Sequence, residues 1–168
     1  MKKSLKYISI FFLLFLIILG CSRKKDKFLN KNFHSLTTKY NFLFNGNNLY
    51  AEGLVDLEND LRDNFWILLP IEKFKFYDAD EDERETNFTK AEEKATLAIQ
   101  KHSMNVDGKE RNPIMDQAYF LLGKSRYFDN RFIPALEAFN YILYKYPTSQ
   151  YINKVKIWKE KINMQLTI

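Results

Sequence analysis

The stretch from Ala118 to Pro147 constrains this chain more than any other. Ala118, Leu121, Leu122 and Ser125 recur at helical spacing on one face, and Ala135, Ala138, Phe139, Ile142, Leu143 and Tyr146 repeat the pattern further on. Asp129-Asn130 breaks the pattern between them, so the spacing predicts a helix–turn–helix hairpin. Gly123 and Ala135 lack bulk, which lets the two backbones approach closely. Pro147 cannot continue a helix and ends the second one.

This spacing resembles the tetratricopeptide repeat. With Pro147 set on the repeat's closing proline, Tyr119, Leu122, Gly123, Ala135 and Phe139 fall on its aromatic, leucine, glycine, alanine and aromatic positions. Arg126 stands where tyrosine is usual, with Tyr127 beside it, and Ile142 stands where alanine is usual. The alternative is an ordinary helical hairpin of a bundle.

The N-terminus reads as an export and anchoring signal. Lys2, Lys3 and Lys6 precede a run from Tyr7 to Leu19 that is apolar but for Ser9. The run is short for a membrane span and suits the core of a signal peptide. Ile18-Leu19-Gly20-Cys21 resembles the bacterial lipobox, with Leu19 bulkier than usual. The resemblance implies a signal peptide over 1–20, lipid on the Cys21 sulfur and a lipidated tether over 21–30. Several acyl chains make a stable anchor, since each buried CH₂ adds about 0.8 kcal/mol. The alternative is an uncleaved N-terminal membrane helix. Ser22 at the next position is compatible with the outer membrane, and the basic Arg23-Lys24-Lys25 favours its periplasmic face; both are inferences from resemblance. Cys21 is the only cysteine, so no internal disulfide forms.

The composition is 46% hydrophobic with Gly 5 and Pro 4, which excludes a disordered chain and leans towards helix. The net charge of +5 is misleading, because Lys2, Lys3 and Lys6 belong to the removable segment. The rest is too small to argue for nucleic acid, and no basic stripe with interleaved aromatics is present.

A first hairpin is expected over Phe28–Leu69. Phe33, Leu36, Tyr40 and Leu43 form one stripe, Asn45-Gly46-Asn47-Asn48 reads as a turn, and Tyr50, Gly53, Leu54, Leu57 and Leu61 form the second stripe. The apolar block Phe65-Trp66-Ile67-Leu68-Leu69-Pro70 should pack across it; exposed, it would be a contact surface. The run Asp78, Asp80, Asp82 alternates as in a calcium loop, but Glu83 replaces the required glycine and Thr89 the closing glutamate, which leaves a solvated connector. Ala91, Ala95, Ala98 and His102 share a face of the next helix, which Thr86, Asn87 or Thr89 can cap. Asp107-Gly108 marks a turn and Pro113 opens the following helix. Tyr151, Val155, Trp158 and Ile162 form the stripe of a last helix, which either caps the array or leaves Trp158 partly exposed.

The order Cys21, Asn32-Phe33-His34, Thr38-Lys39-Tyr40-Asn41, Phe44-Asn45-Gly46 and Asp63 to Pro70 resembles the start of the SprE/PorW family. So do Lys90–Ser103 and Asn112–Leu143. These are tetratricopeptide lipoproteins of the Bacteroidetes tied to gliding motility and type IX protein secretion; members are longer, with more repeats. The expected fold is therefore all-α, a short tetratricopeptide-like helical-hairpin solenoid over 31–168. Lys124 and Arg126 are candidates for presenting charge to a partner in its groove. His34 and His102 lie on separate helices, and no HExxH, GxSxG, phosphate-binding loop or paired-cysteine motif occurs. No enzyme, cofactor or metal is expected. The expected role is a periplasmic, membrane-anchored scaffold that binds proteins of the secretion and motility machinery, with no nucleic acid. Two other roles stay open: assistance to outer-membrane protein assembly, and binding of cell wall or a small molecule.

Overall fold

The computed structural model describes Tyr7 and residues 22–61, 63–66, 69, 72–75 and 85–167. Cys21, the rest of the N-terminal apolar run and most of the acidic connector lie outside the described residues.

The chain is mostly helical. It runs α1 (Phe28–Thr37), a π-helical turn (Thr38–Leu43), α2 (Phe44–Asp60), α3 (Asn87–His102), a two-residue ladder of β1 (Asn105–Val106) with β2 (Lys109–Glu110), α4 (Met115–Phe128), α5 (Phe132–Lys145) and α6 (Ile152–Thr167).

The expected hairpin over Phe28–Leu69 does not form. Thr38 and Phe44, at the two joints, keep right-handed helical φ and ψ, so α1, the π-turn and α2 are one continuous rod. The reason lies in Gly46. Glycine serves turns, but it also serves close approach. A Cβ at Gly46 would sit 2.7 Å from Leu121 Cδ2 and 3.2 Å from Lys94 Cβ, so this glycine lets α2, α3 and α4 meet. Asn45 and Asn47 bond back to the carbonyls of Asn41 and Leu43 as helical residues do when their side chains fold onto the preceding turn. Thr38 Oγ1 likewise bonds the His34 carbonyl at 2.7 Å, at the start of the widened turn.

The antiparallel partner of this rod is α3. Its start is fixed by Thr86, whose Oγ1 accepts from the Thr89 N–H at 3.0 Å. Ala91, Ala95 and Ala98 are fully buried on the contact face. Asp107 and Gly108 take positive φ in the tight turn between β1 and β2. Pro113 does not open α4 as expected: the helix starts at Met115, after Ile114.

α4 and α5 form a hairpin closed at Asn130, whose φ of 60° suits asparagine. Arg131 N–H returns to the Arg126 carbonyl, which satisfies an end of α4. α6 then packs on both. From α2 onwards, consecutive helices are antiparallel neighbours. In addition α2 meets α4 through Tyr50 and Phe128, α4 meets α6 through Tyr127 and Trp158, and Phe120 of α4 meets Tyr151 just before α6. The result is two layers, α2–α4–α6 and α3–α5, with the core between them. Trp158 is thereby packed among Tyr127, Phe128 and Phe139.

Candidate functional site

The residues picked from the repeat spacing converge on the α4–α5 interface. A Cβ on Gly123 would lie 2.6 Å from the Phe139 ring, so the ring occupies the space that glycine leaves. Ala135 and Phe139 are fully buried and Leu122 nearly so, while the rings of Tyr119 and Tyr141 meet at a tilt, their centres 4.3 Å apart. Pro147 follows Tyr146, the residue that closes α5. The same interlock recurs between α2 and α3: a Cβ on Gly53 would meet the Phe88 ring at 2.9 Å.

The two charged candidates part company. Arg126 turns towards α3 and α5, where it donates to Glu92 at 2.8 Å and to the Pro134 carbonyl at 3.1 Å. Arg131 pairs with the same Glu92. Arg126 is therefore spent on joining helices and does not present charge outward. Lys124, on the same helix, turns towards α2, its Nζ 4.0 Å from the Tyr50 ring centre and 5.3 Å from that of Phe120. Burial, helped by Lys154, pushes its ammonium down to about 8, so at neutral pH it stays mostly charged and is held by the rings.

The face of α4 and α6 that would line an open groove carries the chain's own connector. Phe74 packs against Tyr127, Phe128 and Phe132. Glu72 accepts from Tyr127 Oη at 2.6 Å and from Lys161 Nζ at 2.8 Å, and Asn130 Nδ2 donates to the Lys75 carbonyl at 2.7 Å. Burial and the Glu72 carboxylate push the Tyr127 hydroxyl upwards, so it remains a donor at any physiological pH. Nothing in the composition of Glu72-Lys73-Phe74 marks it as a groove segment. Beside it, Asp56, Asp60, Lys75, Asn87 and Phe88 border an open cleft of about 420 Å³.

Sequence reasoning missed a second cluster. His34 of α1 and His102 of α3 face each other with Nδ1 atoms 2.9 Å apart, in the company of Phe33 and Phe42. Asn112 ties the cluster together, donating to Thr38 Oγ1 at 3.1 Å and to the His102 carbonyl at 3.0 Å. A hydrogen bond between two Nδ1 atoms needs an Nδ1–H on one ring and a neutral partner ring with its proton on Nε2, a demand that two neutral rings of opposite tautomer meet. Burial favours that state: it lowers both, His102 to about 4, aided by His34, Arg23 and Lys101. Among the described residues no group of three histidine, cysteine, aspartate or glutamate side chains stands ready for a metal.

The apolar block after α2 departs from expectation. Its described members Phe65, Trp66 and Leu69 are exposed, Trp66 at 96%. No helix among the described residues is long and apolar enough to cross a membrane. No known family model matches the chain, and neither does any curated protein.

Proposed function

We propose that the chain is a membrane-anchored scaffold of tetratricopeptide-like hairpins with no reactive centre. The observation that carries this reading is the repeated interlock of glycine with an aromatic ring, Gly53 with Phe88 and Gly123 with Phe139, within two alternating layers of helices. Stacked hairpins of this kind offer a continuous surface to other proteins and need no catalytic group. The lipobox-like Ile18–Cys21 supplies the anchor, on the periplasmic face of the outer membrane. The resemblance to the SprE/PorW lipoproteins supplies the process, type IX secretion and gliding motility, with components of that machinery as partners.

A deletion strain tests the process: colony spreading and export of type IX cargo are both expected to fail. Normal spreading with normal export would overturn the assignment, and capture of barrel-assembly components would transfer the scaffold to outer-membrane protein assembly. The anchor has its own test, incorporation of labelled palmitate that Cys21→Ser abolishes. The cleft beside Asp56 and Lys75 favours one second reading, small-molecule binding, for which saturable binding lost in Asp56→Ala would be the sign.

A further inference from the structure

The rod formed by α1, the π-turn and the start of α2 is built inside out. The side packed on the protein carries Asn30, His34 and Thr38, all buried. The opposite side carries Leu29 at 74% exposure, Phe33 at 46%, Leu36 at 56% and Tyr40 at 57%, with Phe44 following. These positions recur at helical spacing, so they form one stripe. A helix that places amides and imidazoles inwards and leucines and aromatics outwards needs a second apolar environment on its outer side.

Two features identify that environment. The first is charge. Lys24, Lys25, Lys27, Lys31 and Lys39 around the stripe are exposed, and no acidic residue lies between Asp26 and Glu52. Asp26 itself pairs with Arg111 at 3.2 Å. The second is position. Asn30 Nδ2 donates to the Ser22 carbonyl at 2.9 Å and to the Lys25 carbonyl at 3.1 Å, and Arg23 donates to the Gln100 carbonyl of α3. The tether is thus pinned to the protein, and the attachment residue Cys21 is one position from a carbonyl held by α1.

We propose that the outer face of α1 and the π-turn lies in an anionic lipid surface, with Leu29, Phe33, Leu36 and Tyr40 in the acyl boundary and the lysines at the headgroups. An amphipathic helix with basic flanks binds in this way, by apolar burial plus attraction to anionic lipid. This rests on the anchoring at Cys21 proposed above. The docked rod fixes the orientation of the layers over the bilayer, so that the anchor is a rigid mount and not a leash.

The test uses the full chain in phosphatidylethanolamine–phosphatidylglycerol vesicles that contain a diazirine-tailed phospholipid, with the labelled residues mapped by mass spectrometry. Labels are expected on Leu29, Leu36 and Tyr40. The exposed pair Leu29→Asp with Leu36→Asp should cut labelling of α1 by about tenfold with circular dichroism unchanged. Labels confined to residues before Ser22, or equal labelling of the variant, would overturn the proposal. So would a stripe covered by a second copy, seen as a dimer that sediments as such in mild detergent and is dispersed by the same pair. Palmitate on the same sample separates the two readings: acylated Cys21 with an unlabelled α1 sinks only the docking, and a labelled α1 without fatty acid sinks only the anchor.

Discussion

The α4–α5 hairpin and the α1–α2 rod use similar residues to opposite ends. In the hairpin, the aromatic and aliphatic positions at helical spacing face inwards, and Phe139 is fully buried against Gly123, Phe120 and Trp158. In the N-terminal part of the rod, positions with the same spacing face outwards, and the buried ones are Asn30, His34 and Thr38, of which His34 meets His102 of α3. Apolar periodicity therefore identifies a face but not its neighbour. The hairpin's neighbour is the other half of the same sequence pattern. The rod's outer neighbour is not part of the described fold.

The sharpest way to break this comparison is to remove one side chain from each region. Phe139→Ala should cost about 3–5 kcal/mol, because the ring's packing and the space beside Gly123 are both lost. Leu36→Ala should stay within about 0.5 kcal/mol in detergent-solubilised protein, as for other exposed positions. Urea unfolding of both variants measures it, and equal costs would mean that the stripe is core.

This asymmetry also explains what could be read from the sequence. The α4–α5 hairpin was legible because its small residues, its turn and its closing proline all agree. The rod was not, because Gly46 has two physical uses, and only the approach of Leu121 and Lys94 shows which one applies. Thr38 and His34 gave no signal of burial, since a polar residue at helical spacing normally reads as a solvated face. The histidine pair joins positions far apart in the chain through a single side-chain contact, a juxtaposition that no local pattern encodes. The same holds for Glu72 and Phe74, whose partners Tyr127 and Lys161 belong to later helices.

Acid should separate the two regions next. A histidine whose folded pKa lies below its unfolded value binds fewer protons when folded, so stability is intact above about 6.5 and is lost as pH falls towards the folded value. For His102 that window runs from the ordinary 6.5 down to about 4, and His34 moves in the same direction. Solvent screening trims the loss to about 1–2 kcal/mol. Hydrogen exchange between pH 7 and 4.5 should show α1 and α3 losing protection before α4 and α5, which hold no histidine. Uniform loss across all helices would detach the histidine pair from the stability of the rod.

Gly46 allows a finer cut. Gly46→Ala gains helix propensity of about 1 kcal/mol but forces a methyl group onto Leu121 Cδ2, at a cost of about 1–3 kcal/mol. A net loss on the order of 1 kcal/mol is expected. Leu121→Ala removes the obstructing atom, so the double variant should be more stable than the sum of the two single changes predicts. Strict additivity would mean that Gly46 is not at a helix crossing.

The smallest change asks the same question from the solvent side. Asn48 is exposed within α2, in the middle of the segment that reads as a turn. In a turn, asparagine is favoured because it tolerates positive φ, and alanine there would be strained. In a helix the order reverses, since alanine gives up no side-chain freedom and offers the backbone no competing acceptor. Asn48→Ala should therefore stabilise the protein by about 0.5 kcal/mol, read as a higher urea midpoint at unchanged slope. A lower midpoint would restore the turn, and with it the hairpin that the rod replaces.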